Sequence, residues 1–265
     1  NTISFGSANA AFTWTSPTSF SSATQAGIYF RNTYPLNLRF NTINSPTVFT
    51  IANAGIIVNA NATSHSGITY TCTISDNNLT QYNSSTTSLT GIDFSYGIST
   101  GTIISSNNNI TLNQTASAAS SAAVIGIKAA YASATNTCNS NNITINQSNT
   151  SGALSSPTTG ITLAGSGTTL TANSNLVTIN QTGSGTATIT GALIGIDYSA
   201  AATTINSFSN NIIVNQTTSV ASGIGTTISG IKATTASTTV NIGSSGNGNT
   251  ITIKQGLSGL GSYST

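Results

Sequence analysis

A chain of 265 residues is long enough for one large domain or one continuous repeat array. Its net charge is +2 and only 3% of its residues are charged, against about 25% in ordinary soluble domains. Five scattered cations make no basic patch, which argues against nucleic acid as a partner. A mean hydropathy of +0.11 with so little net charge is not the signature of disorder, and no apolar run approaches the ~18 residues of a membrane-spanning helix.

Residues 1–66 are irregular and hold the only tryptophan, Trp14, together with Phe5, Phe12, Phe20, Phe30, Phe40 and Phe49. They are expected to form a cap or irregular first coils, with residues 1–25 as a cap or an exchanged strand, because an exposed solenoid end needs covering. Gly27-Ile28 and Gly67-Ile68 read as degenerate forms of a marker that becomes regular downstream.

From residue 67 to 255 two markers alternate. The first is a Gly-Ile pair opening a strand: Gly91-Ile92, Gly126-Ile127, Gly160-Ile161, Gly195-Ile196 and Gly230-Ile231. The second is an Asn-flanked strand ending in Gln114, Gln147, Gln181, Gln216 or Gln255. Both recur about every 33–39 residues in the same order, so one structural unit is repeated. Within it Ile143 and Ile145 fall on one face and Thr144 and Asn146 on the other, the two-residue period of a half-buried strand. A shorter strand precedes it, with Ile104, Cys138, Leu170 or Ile205 in successive units. Ile far outnumbers Leu, and branching at Cβ suits a pleated surface.

One such unit cannot bury its inward row alone, but stacked units can, with parallel strands ~4.8 Å apart. The predicted fold is therefore all-β: a parallel β-helix of about three short strands per coil, right-handed by the general rule for parallel crossovers. Segments 115–124 and 148–159 read as edge loops, and residues 256–265 as a tail. Methionine is absent, so a processed or excised chain is expected, and with the Thr/Asn-rich, charge-poor surface that points to an extracellular location.

Stacking in register lines up the residue after each Gly-Ile pair: Asp93, Lys128, Thr162, Asp197, Lys232. Rungs then place Asp93 beside Lys128 and Asp197 beside Lys232 as ladder ion pairs worth ~0.2–1 kcal/mol each. A catalytic reading fails on distance, since Asp93 and Asp197 stand three rungs or roughly 14 Å apart, too far for a glycosidase pair. With His65 alone, no Glu and no Gly-x-Ser-x-Gly elbow, neither an enzyme, a metal site nor a cofactor is expected. Cys72 and Cys138, on related strands two coils apart, are expected to be free inward thiols.

Asn113, Asn146, Asn180 and Asn215 fall in one column and Gln114, Gln147, Gln181, Gln216 and Gln255 in the next, where stacked amides hydrogen-bond from rung to rung. The same Asn residues lie in glycosylation sequons, but a glycan on every rung would collide with its neighbours. Thr111, Thr144, Thr178 and Thr252 form an outward rank broken by Ile213, a candidate binding face of the kind seen on ice-binding solenoids.

The Gly-Ile and Asn-Asn-Ile-Thr-Ile-Asn-Gln repeats resemble the low-charge, Ser/Thr/Asn-rich repeat regions of secreted bacterial β-helix surface proteins, such as adhesin passenger domains and giant cell-surface repeat proteins. That resemblance implies export, display at the cell surface, and adhesion or fibre formation. The expected function is a structural or adhesive rod that self-associates end to end, with a glycan or other cell-surface ligand as a possible partner. A carbohydrate-binding or, behind it, a polysaccharide-degrading β-helix module is the first alternative, and an ice-binding solenoid the second.

Overall fold

The computed structural model describes residues 3–5, 13–15, 24–31, 36–44, 52–59, 70–83, 87–96, 101–130, 134–165, 168–219, 227–233, 236–257 and 263–264. The chain builds the stack coil by coil. The first coil carries β1 (Ile3–Phe5), β2 (Thr13–Thr15) and β3 (Thr24–Arg31), and the second β4 (Leu36–Arg39), β5 (Thr42–Asn44) and β6 (Ala52–Asn59). The third has β7 (Tyr70–Ser75), β8 (Asn78–Asn83) and β9 (Leu89–Tyr96); the fourth β10 (Gly101–Ser106), β11 (Asn109–Ala116) and β12 (Val124–Ala130). Next come β13 (Ala134–Asn139), β14 (Asn142–Asn149), the short β15 (Ala153–Leu154) and β16 (Thr158–Ala164). They are followed by β17 (Thr169–Asn173), β18 (Leu176–Gly183), the short β19 (Thr188–Ile189) and β20 (Leu193–Tyr198). The last turns hold β21 (Thr204–Phe208), β22 (Asn211–Thr218) and β23 (Ile228–Ala233), then β24 (Thr239–Ile242), β25 (Thr250–Leu257) and β26 (Tyr263–Ser264).

Corresponding strands of successive coils pair in parallel, giving a first sheet from β1 to β24, a second from β2 to β25 and a third from β3 to β23. β26 is the exception: it turns back antiparallel on β25, pairing Tyr263 with Gly256 and Ser264 with Gln255. Among the described residues the chain is an all-β solenoid with three sheets around one core and no helix. Strands β1 to β6 belong to the same three sheets as the regular coils.

The second sheet shows why this sequence makes strands. Asn109–Ala116 aligns residue for residue with Asn142–Asn149, and that strand with Leu176–Gly183. Its inward Ile110, Leu112, Ile143, Ile145, Val177 and Ile179 are fully buried, each burial worth about 1.5–3 kcal/mol against exposure. In the first sheet the buried columns run Cys72, Ile103, Asn136, Leu170 and Ile74, Ser105, Cys138, Ala172. The short strand carries Ile104, Cys138, Leu170 and Ile205 in successive coils as expected; within it Ile103 rather than Ile104 points inward, and Cys138 shares its column with Ala172. The adjacent Ile103-Ile104 pair gives no sequence cue to which of the two faces in.

The Gly of each Gly-Ile marker marks a change of side. In β12 both Val124 and Ile127 are buried although they are three residues apart, and the cross-strand register omits Gly126 between them. A Cβ on Gly126 would strike the Gly160 carbonyl and lie 2.6 Å from Ile143 Cγ2. Glycine is thus imposed by the close approach of the second sheet to the third. The same column contains Gly55, so the marker of the second coil is Gly55-Ile56, with Ile56 paired to Ile28 and Ile92. Gly67-Ile68 lies outside the described residues. The segments expected as edge loops are partly ordered as well: β15 pairs with β19, and Ser120 bridges Leu154.

Candidate functional site

The chemistry of the described residues lies in columns of side chains that repeat once per coil. The innermost column starts at the corner between the first and second sheets. There Phe40, Asp76, Asn107, Ser140, Ser174 and Ser209 adopt left-handed backbone with φ of 54–58°. Asn and Asp tolerate that conformation best, and it turns the chain within two residues. The next residue is an asparagine each time: Asn41, Asn77, Asn108, Asn141, Asn175, Asn210, with Asn249 at the same place in the last coil. From Asn41 to Asn210 these amides are at most 2% exposed.

They form a continuous ladder. The backbone N and Nδ2 of Asn108 both donate to Oδ1 of Asn141, at 3.1 and 3.0 Å, and Nδ2 also donates to the Ile74 carbonyl at 2.9 Å. The forked contact recurs from Asn41 to Asn77, Asn77 to Asn108, Asn141 to Asn175, Asn175 to Asn210 and Asn210 to Asn249. The rungs are 36, 31, 33, 34, 35 and 39 residues apart, so the ladder absorbs coils of unequal length. Sequence reasoning passed over this ladder, although the signal was present as an Asn immediately before each second-sheet strand.

The two amide columns singled out from sequence flank the next corner. Nδ2 of Asn146 donates to Oδ1 of Asn113 at 3.0 Å, Asn180 to Asn146 at 2.9 Å and Asn215 to Asn180 at 2.8 Å, on the half-exposed outer face. Lys254 takes the place of asparagine in the last rung. The Gln column faces inward: Gln147 donates to Gln114 at 2.7 Å, Gln181 to Gln147 at 2.6 Å, Gln216 to Gln181 at 3.0 Å and Gln255 to Gln216 at 2.6 Å. Gln147 also accepts from the Thr158 hydroxyl at 2.8 Å, tying the second sheet to the third.

In the third sheet Asp93 pairs in register with Lys128, Lys128 with Thr162, Thr162 with Asp197 and Asp197 with Lys232. Nζ of Lys128 is 4.0 Å from Asp93, and Nζ of Lys232 is 3.8 Å from Asp197. Burial pushes the Asp197 carboxyl above the usual carboxylate range, against the pull of Lys232. A third pair had no sequence cue: Arg39 donates to Asp76 through Nε and Nη2, at 3.0 and 2.9 Å. Partial burial works against the Asp76 charge, but bonds from Arg39, Ser75 and Asn107 outweigh it and hold that carboxyl below its ordinary value.

Thr111, Thr144, Thr178 and Thr252 stand in one outward column, joined by Thr80 and interrupted by Ile213. The first sheet presents a second hydroxyl face: Thr71, Thr102 and Thr135 share one outward column, while the column two residues on holds Thr73, Thr137 and Thr171 but is interrupted by Ile104 and then Asn206. Cys72 and Cys138 are free and buried, and burial pushes both thiols up to about 12. Among the described residues no three His, Cys, Asp or Glu side chains gather to hold a metal, and His65 lies outside those residues. No family model, curated protein or solved structure matches this chain.

Proposed function

We propose that the chain is a structural rod: an extracellular β-solenoid serving as a fibre, stalk or adhesive segment. The observation that carries this reading is the amide ladder from Asn41 to Asn249, which locks each coil to the next inside a stack of three continuous sheets. Such a stack resists bending and proteolysis, because no coil can open without stripping backbone and side-chain hydrogen bonds from two neighbours. Stability held in apolar burial and neutral amides depends little on salt, which suits a part exposed to changing surroundings. Antibody labelling of the intact cells that make the protein, combined with electron microscopy of the purified chain, tests it. Surface label and straight, protease-resistant rods are expected; internal label or compact particles would refute it.

A second reading has one observation in its favour. One outward threonine column of the first sheet, Thr71, Thr102 and Thr135 and then Thr169, Thr204 and Thr239, repeats on a parallel, in-register lattice at ~4.8 Å per rung with Thr73, Thr137 and Thr171 beside it, a hydroxyl and methyl surface suited to ordered water. It supports ice binding better than the single rank on the second sheet does. Thermal hysteresis or inhibition of ice recrystallisation, abolished by Thr137→Lys, would favour it.

A further inference from the structure

The outer face of the second sheet differs from the other two in charge. The first sheet carries Arg39, paired with Asp76, and the third carries Asp93 with Lys128 and Asp197 with Lys232. Strands β8, β11, β14, β18 and β22 of the second sheet hold no acidic, basic or histidine side chain. Their outward positions form three parallel columns, in which Asn109 stands beside Asn142, Thr111 beside Thr144 and Asn113 beside Asn146. Rungs of ~4.8 Å and steps of ~3.3 Å per residue set these groups on a flat grid.

The grid is held in place before any ligand arrives. Asn146 donates one N–H to Asn113 at 3.0 Å and accepts from Asn180 at 2.9 Å, which fixes its amide along the column. Asn180 in turn accepts from Asn215 at 2.8 Å. An amide has two donor hydrogens and two acceptor lone pairs, so Asn146 and Asn180 each keep one of each on the half-exposed outer face. In the outermost column Asn109 donates to Asn78 at 3.1 Å. Two larger side chains break the polar grid in the body of the stack. Tyr82 stands in register with Asn113 and is 40% exposed, and Leu176 stands in register with Asn142 and is 36% exposed.

We infer that this face binds an uncharged, extended polysaccharide, a β-1,4-linked hexose chain laid across the rungs. The inference rests on the rod reading and names the ligand of its adhesive side. A face without charge offers nothing to offset the desolvation of a sulfate or carboxylate, so a charged chain is disfavoured. A flat grid cannot enclose a small molecule, so a single sugar gains little from it. A protein partner would call for an apolar centre, where this face has amides and hydroxyls. A β-1,4-linked chain is straight and ribbon-like. Its edge hydroxyls meet the amides and threonines, and its C–H faces lie on the Tyr82 ring and on Leu176.

The repeat sets how affinity is built up. A hydrogen bond exchanged for one with water gains little by itself, so one rung holds a sugar weakly. Rungs engaged by one ligand chain act together, because each docked sugar holds the next at high effective concentration. Affinity therefore rises with the length of the ligand. No ion pair takes part, so salt leaves it unchanged.

The test is isothermal titration calorimetry of the full chain with cello-, manno- and chito-oligosaccharides of increasing length, and with polygalacturonate and dextran sulfate as charged probes. Thr144→Lys puts a charge in the middle of the face, Tyr82→Ala removes the ring, and Thr137→Lys puts the same charge on the first sheet. Far-UV circular dichroism establishes that each variant is folded, and negative-stain microscopy of the same samples establishes rods. A neutral series is expected to bind, gaining about threefold per added sugar, equally at low and high salt. Thr144→Lys and Tyr82→Ala each weaken the longest oligomer about tenfold, and Thr137→Lys binds it like the wild type. The inference is overturned if no neutral series binds, if the charged probes bind as well or better, or if Thr137→Lys loses binding equally. Folded Thr144→Lys or Tyr82→Ala protein that binds like the wild type also overturns it. So does side-by-side pairing of rods that Thr144→Lys abolishes with no sugar bound, which assigns the face to a second copy. Each of these leaves the rod reading intact as long as rods are seen; compact particles in the microscope refute that reading first.

Discussion

At the scale of residues, two neighbouring asparagine columns differ in what they hold together. Asn141 is buried and receives the forked contact from Asn108 while donating to the Ser105 carbonyl, so its loss strands two donors and an acceptor in the core. Asn146 shares a single half-exposed amide contact with each neighbour. Asn141→Ala is expected to cost about 3 kcal/mol and Asn146→Ala under about 1 kcal/mol, measured by urea unfolding. Gly126→Ala is expected to cost about 1–3 kcal/mol in the same assay, because its Cβ meets the Gly160 backbone, which cannot move aside as a side-chain tip can. Asp76 gives a pH signature. Its folded pKa is depressed, so the stability it contributes is present above the unfolded value near 3.8 and is lost as pH falls through the folded value. Asp197 works in the opposite sense: raised in the folded state, it favours the fold below its unfolded value, an advantage lost as pH rises through the folded value. Removing the Arg39 charge with Arg39→Gln should therefore flatten the acid-side decline in melting temperature; an unchanged acid limb would rule out that role for Asp76.

At the scale of elements, the second-sheet strands of the regular coils were legible from their two-residue alternation, and the order of strands in a coil from the two recurring markers. The ion-pair columns were legible too, because a fixed repeat implies a register once the coils stack: Asp93 lies opposite Lys128 and Asp197 opposite Lys232. The ordered stacking of β15 on β19 was not, since two-residue strands carry too little pattern to stand out from a polar loop. The thiols test how tightly the first sheet is closed. With pKa values of about 12 and full burial, Cys72 and Cys138 should stay unmodified by a maleimide in the native protein, and both should react in denaturant. Fast labelling of the folded chain would mean that the first sheet opens locally.

At the scale of the molecule, each coil touches only its neighbours, so stability is a chain of nearest-neighbour terms rather than one shared core. Hydrogen exchange is expected to be slowest in β11, β14 and β18 and to quicken toward β24 and β25, where the stack is covered on one side only. Uniform protection along the rod would mean instead that it unfolds all at once.

The sequence by itself determined the class of fold, the repeat and the outer columns, because composition, two-residue alternation and a period of about 35 residues are properties of the chain alone. Tertiary structure alone decided which of several adjacent, chemically alike residues turns inward. In Asn107-Asn108-Asn109 one residue takes the left-handed turn, the next is buried in the ladder and the third faces solvent; in Ile103-Ile104 the first enters the core and the second does not. The physical reason is that a side chain's direction follows from backbone dihedrals at the corner, and those are set by the coils above and below, which a run of like residues does not encode.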